Sequence, residues 1–284
     1  YYLRPLNGLQ QGEYRGWRSI ADYFACLDRR AAQNTAAQVP YANVRSLVCG
    51  WTKERPSVAQ MREIQKLISA GMAEGGAALS TGLEYVSECF AATDELVDAC
   101  APLVEAQGFY VTHIRYPLGL KRGLEEAVAI AARAGVPLHV SHLKASNPAD
   151  AEELLRYIDT VAVNEVEFTF DVYPYVSAST MLHYLLPYEV WEEGPRRVKY
   201  RMHDGELQRR FQHTLDETDL ATVEIAWVPD GPCKRWEGHR LREYVDSVGG
   251  SSAAAATALL QSTELAVLLV FHRGDGSVVH PFLQ

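Results

Sequence analysis

Residues 109–144 read FYVTHIRYPLGLKRGLEEAVAIAARAGVPLHVSHLK, and this stretch decides the fold. FYVTH (109–113) is a short β-rich run. LEEAVAIAARA (124–134) places apolar residues at helical spacing and stops at Gly135, and VPLHVSH (136–142) is a second β-rich run. Two strands joined through a helix of this length pair in parallel, because antiparallel neighbours need only a tight turn.

The same alternation extends in both directions. Upstream, NVRSLVC (43–49) is expected to be a strand. Ser57, following Pro56, is expected to cap a helix carrying Val58, Met61, Ile64, Leu67, Ile68 and Met72. GAALS (76–80) reads as a strand, and Thr93 opens a helix ended by Gly108. Downstream, residues 149–159 read as a helix and EFTFD (167–171) as a strand. Five βα-type repeats without hairpin turns predict an α/β fold with a parallel sheet. A doubly wound sheet and a (β/α)8 barrel both fit; no GxGxxG turn supports the former. Past Tyr175 the rhythm changes: a Pro, Tyr and Trp-rich passage at 186–191, a charged helix at 204–214, a strand at 222–228 and an alanine-rich helix at 251–262 read as an insertion.

The 284 residues carry 27 Lys plus Arg against 36 Asp plus Glu, a net charge of −9 with no basic run, so binding to a nucleic-acid backbone is not expected. The longest apolar run, LAVLLVF (265–271), is far shorter than the roughly 20 residues of a membrane span, so no membrane association is expected. The five cysteines, Cys26, Cys49, Cys89, Cys100 and Cys233, show no CxxC pair and no disulfide spacing, which points to a reducing, cytoplasmic setting.

Three of the expected strands finish on residues that chemistry uses: His113, His142 and Asp171. The carboxyl ends of parallel strands are where ligands collect. Period-two alternation puts Phe109, Val111 and His113 on one face, as it does Leu138, Val140 and His142, with His139 opposite. Two inward histidines on adjacent strand ends can share a zinc ion; hydrogen-bonded structural histidines are the competing reading. LSTGLEY (79–85) couples a strand end to a turn that can present N–H groups and hydroxyls to a cleft. Lys144 should reach the same region, and Tyr173 and Tyr175 flank a fixed proline. The remaining histidines lack partners at ligand spacing, and there is no GxSxG elbow for serine chemistry.

LSTGLEY, VTHIR (111–115), GVPLHVSHLK (135–144) and DVYPYVSAST (171–180), in that order, resemble the N-acyl-D-amino-acid deacylases (D-aminoacylases) of the amidohydrolase superfamily. The resemblance covers residues 43–179. It implies a metal-dependent (β/α)8 TIM barrel binding one or two zinc ions, with His113 and His142 as metal ligands and Tyr85, Lys144 and Ser179 as substrate-binding residues. The implied reaction is hydrolysis of a small N-acyl-D-amino acid to a D-amino acid and a carboxylate. The family's His-x-His of strand 1, cysteine of strand 2 and catalytic aspartate of strand 8 have no counterpart. The chain therefore reads as an incomplete internal fragment, strands 3 to 7, inactive by itself, with the aspartate expected beyond Gln284 and no catalytic residue within it. The expected organisation is a partial barrel at 1–180, an insertion at 181–264 and a return to the barrel at 265–284. Tyr116 and Pro117 depart from the family's acidic or polar residues after Arg115. Cys49 falls on the wrong strand to bridge metals and reads as a core thiol. Two alternatives remain: a hydantoinase or dihydroorotase-like cyclic-amide amidohydrolase, disfavoured because residues 76–80 offer no lysine, and a non-catalytic relative. Oligomeric state is not legible.

Overall fold

A computed structural model describes residues 16–272 and 276–283. The chain divides into two compact units, residues 16–175 with 276–283, and residues 176–272. No helix among the described residues is long and apolar enough to cross a membrane.

The first unit is built on a five-stranded parallel sheet in sequence order: β1 (Gln38–Pro40), β2 (Ala78–Gly82), β3 (Phe109–His113), β4 (Leu138–Val140) and β5 (Phe168–Phe170). Helix α1 (Ile20–Leu27) precedes β1, and helices α2 (Tyr41–Cys49), α3 (Val58–Ala73), α4 (Thr93–Glu105), α5 (Leu120–Ala134) and α6 (Pro148–Tyr157) occupy the connections. Each crossover has a local cause. Ser57 and Gln60 form the capping box that starts α3, and α3 buries Ile64, Ile68 and Met72 at helical spacing. Gly135 takes the left-handed conformation, φ 72°, that stops α5 before β4. Register puts Leu79, Tyr110, Leu138 and Val140 on one face of the sheet, each at 1% exposure or less and packed in one core with the helices.

The expected strand at 43–49 is a helix, α2, and the first strand lies just upstream at Gln38–Pro40. Its β-branched composition is overridden by what it buries: Tyr41, Val44 and Arg45 fall on one helical face. The Tyr41 hydroxyl and Arg45 Nε both donate to Glu95 Oε1 of α4, at 2.6 and 2.7 Å. Arg45 also donates to the carbonyls of Thr52 and Glu54, fastening the α2–α3 loop. Alternating placement in a strand would separate Tyr41 from Val44. Cys49 ends α2, half-buried against the core.

The second unit contains an antiparallel sheet ordered β6 (Ala178–Met181), β8 (Leu268–Phe271), β7 (Val223–Trp227). It is packed with helices Gly205–Asp216, Leu241–Val248 and Ser252–Ser262, the first capped by Asp204 and the last by Ser251. The apolar run at 265–271 therefore supplies the central strand of this sheet and does not rejoin the parallel one. Pairing on both edges uses the backbone groups that a return to the barrel would have used. The boundary falls at Val176, so Ser179 belongs to the second unit, where its hydroxyl donates to the Leu269 carbonyl at 2.9 Å.

Candidate metal centre

Parallel pairing aligns the carboxyl ends of β2, β3 and β4, with Gly82 opposite His113 and Thr112 opposite Val140. His113 is the last residue of β3 and is 7% exposed. β4 stops at Val140, so His142 lies past the strand, on a turn with φ 41°. Its direction is thus set by that turn and not by strand alternation. The Asp171 carboxylate, just beyond β5, accepts the His142 backbone N–H through Oδ1 at 2.7 Å, and its Oδ2 lies 2.9 Å from His139 Nε2. His139 pairs with Val111 in the β3–β4 ladder and therefore shares the face of Val111 and His113, contrary to the expected orientation; it also contacts Thr169 Oγ1 at 2.8 Å.

The two histidines are brought together. His113 Nδ1 lies 3.2 Å from His142 Nε2, the rings meeting edge-on at 73°. Two nitrogens bound to one tetrahedral zinc at roughly 2.0–2.1 Å would be about 3.3 Å apart, so the pair fits two corners of such a site. Burial lowers the pKa of both imidazoles, that of His142 to about 4, keeping them in the neutral form that binds metal. His142 Nδ1 is buried without a hydrogen-bond partner among the described residues. No group of three or more metal-ligating side chains occurs among the described residues.

Aromatic residues wall the pair. The Tyr85 ring centroid lies 4.9 Å from that of His113, Tyr116 meets His113 edge-on at 5.0 Å, and Tyr173 lies 5.5 Å from His142 and stacks on Tyr175 at 5.2 Å. Burial pushes the Tyr85 and Tyr116 phenols far up, so both stay protonated donors. Lys144 holds its ammonium 4.2 Å above the Tyr116 ring. The site residues expected from sequence in this unit, Tyr85, His113, His142 and Lys144, thus cluster, whereas Ser179 is held in the second unit.

Two acids escaped the sequence reading. Glu84 Oε2 lies 2.5 Å from His113 Nε2. Glu88 is fully buried, and its carboxylate accepts the Gly82 N–H, tying down the turn that carries Glu84 and Tyr85. A Cβ on Gly82 would come within 2.3 Å of the Tyr85 ring, which explains glycine there. Both acids sit in the stretch LSTGLEYVSE (79–88), which resembles any polar loop; only their distance of two and six residues from Gly82 hinted at the strand end. Arg115 is structural: it donates to Glu126 and to the carbonyls of Cys89 and Ala91, binding the loops after β2 and β3.

No family model matches the chain. Over 183 residues it is 31% identical to a D-aminoacylase of Alcaligenes xylosoxydans xylosoxydans, a match covering 63% of this chain and 38% of that protein. It superposes on the crystal structure of N-acyl-D-glutamate deacylase from Bordetella bronchiseptica, complexed with zinc and a phosphonate inhibitor, with a TM-score of 0.74 and 25% identity over 96% of this chain. These matches bear out the resemblance: the chain is similar to the D-aminoacylases in sequence and in fold. A D-aminoacylase crystal structure aligns over 98% of the chain with a TM-score of 0.72; at 24% identity it speaks for the fold alone. The chain spans about half of each solved family structure, 51% and 52%.

Proposed function

We propose that the chain forms the ligand-bearing part of a (β/α)8 barrel of the D-aminoacylase type, corresponding to its strands 3 to 7, in a zinc-dependent hydrolase of N-acyl-D-amino acids. The observation that carries this is the pair of buried imidazole nitrogens at 3.2 Å on the ends of neighbouring parallel strands. His113 and His142 would hold one zinc ion, with a second ion requiring further ligands. When bound, the metal polarises the scissile carbonyl and lowers the pKa of a water.

The chain's own groups divide the remaining work. The Tyr85 hydroxyl, held protonated by burial, is a donor for the oxygen that becomes negative as the carbonyl is attacked. Lys144 presents a cation that suits the substrate carboxylate, and its position over Tyr116 restrains the flexible stem. The wall of Tyr85, Tyr116 and Tyr173 excludes water from the histidine pair. Ser179 is a substrate contact on the resemblance alone. The 284 residues by themselves are expected to be inactive, since no group of three or more metal-ligating side chains occurs among the described residues. A hydantoinase-like reading gains nothing, because β2, Ala78–Gly82, has no lysine to bridge metals.

The test is zinc content after equilibrium dialysis. The 284-residue chain is expected to retain zinc weakly, and His113→Ala and His142→Ala are expected to lose it. Unchanged content in both variants would remove the basis of the reading. An N-acetyl-D-amino-acid panel with the same protein should show no turnover; hydrolysis would overturn the expected inactivity.

A further inference from the structure

The His113 imidazole has a neighbour at each nitrogen: Glu84 Oε2 lies 2.5 Å from Nε2, and His142 Nε2 lies 3.2 Å from Nδ1. A carboxylate oxygen can only accept, so the proton between Glu84 and His113 sits on Nε2, and in a neutral ring Nδ1 then carries the lone pair.

The backbone delivers Glu84 to this position. Gly82 pairs with His113 in the β2–β3 ladder, and the Leu83 N–H donates to the His113 carbonyl at 3.0 Å, extending the ladder by one residue. The Tyr85 N–H then donates to the Gly82 carbonyl at 2.8 Å and closes the turn, with the buried Glu88 carboxylate on the Gly82 N–H beneath it. The next residue after the ladder is Glu84, so its side chain returns over the ring it contacts. Tyr85 and Tyr116 pack that ring and resist its flipping.

We propose that Glu84 is a positioning residue that holds His113 in the Nε2–H tautomer and so selects Nδ1 as the nitrogen presented toward His142. On the metal reading above, on which this second clause rests, Nδ1 is the nitrogen offered to zinc, and the carboxylate on the far side raises its basicity.

The experiment is a two-bond ¹H–¹⁵N correlation spectrum of the metal-free, ¹⁵N-histidine-labelled 284-residue chain, with His113 assigned by its loss in His113→Ala. The expected result is an Nε2–H tautomer for His113 in the wild type. Glu84→Gln should keep it, because the amide oxygen still accepts, and Glu84→Ala should convert it to a mixture of tautomers. A purely structural role for Glu84 would change thermal stability and leave the tautomer alone. Zinc dissociation constants measured beside the spectra should weaken about 10–100-fold in Glu84→Ala, the usual effect of losing a ligand's outer partner, and less in Glu84→Gln. An Nδ1–H tautomer in the wild type, or an Nε2–H tautomer that survives Glu84→Ala, would overturn the proposal. Should the wild type bind zinc no better than His113→Ala, the metal reading falls, while the metal-free spectra still decide the role of Glu84.

Discussion

Two buried titratable residues give the molecule opposing responses to pH. Burial raises the Glu88 carboxyl from its ordinary 4.5 to about 7, against the lowering effect of the Gly82 and Ala42 N–H groups and of Arg45 and Arg115. Its folded pKa lies above the unfolded one, so its contribution to stability is complete below about pH 4.5 and is lost as pH rises through 7. His183 in the second unit is buried, and its pKa falls to about 4 although Nδ1 meets the Leu265 carbonyl at 2.9 Å. Its contribution is present above about pH 6.5 and is lost as pH falls toward 4. Each shift corresponds to a linkage on the order of 3 kcal/mol. The wild-type chain should therefore lose less stability between pH 7 and 4.5 than Glu88→Gln, which removes the opposing acid. Urea denaturation across that range checks this, and parallel curves for the two proteins would contradict it.

Helix α2 illustrates how an element is decided by its contacts. Arg45, fully buried, shares Glu95 Oε1 with Tyr41 and reaches two loop carbonyls, so one side chain joins α2, α4 and the α2–α3 loop. Arg45→Ala leaves the Glu95 carboxylate buried without its cation and should cost about 3–5 kcal/mol, read from the shift in denaturation midpoint. A loss below about 1 kcal/mol would show that water reaches Glu95. The start of α3 is a milder case: Ser57→Ala removes one half of a capping box and should cost about 1 kcal/mol in the same assay. The contrast follows from environment, since the cap is exposed to water and the Arg45–Glu95 pair is not.

For the molecule as a whole, the proposed zinc site would link metal to stability. An ion held by His113 and His142 as proposed would bind the folded parallel-sheet unit and not the unfolded chain, so zinc at 100 times its dissociation constant should add about 2.7 kcal/mol. Differential scanning fluorimetry with and without zinc should show a rise in the wild type that is absent in His113→Ala and in His142→Ala. Equal rises in all three would place zinc elsewhere. The two units need not respond alike, because the histidine pair lies wholly within the first.

Much of this was legible in the chain. Strand β3, the α3 cap at Ser57 and the α5 stop at Gly135 follow from local rules of periodicity and capping, which need only near neighbours in sequence. That His113 and His142 meet was expected from strand-end chemistry, but the turn at His142, not strand alternation, brings it about. The family motifs added the chemistry of the pair. The rest depended on contacts between distant residues. A β-branched run became α2 because Glu95, fifty residues away, recruits Arg45. The run at 265–271 joined β6 and β7 because they, not the parallel sheet, satisfy its backbone. Glu84 and Asp171 acquired their partners only when parallel pairing set β2 beside β3 and β4 beside β5. Local amino-acid order determined most strands and helices of the first unit and which histidines stand near strand ends; tertiary structure decided the exceptions and which nitrogen faces which acid, because a hydrogen bond is made in space at about 3 Å and no spacing along the chain encodes it.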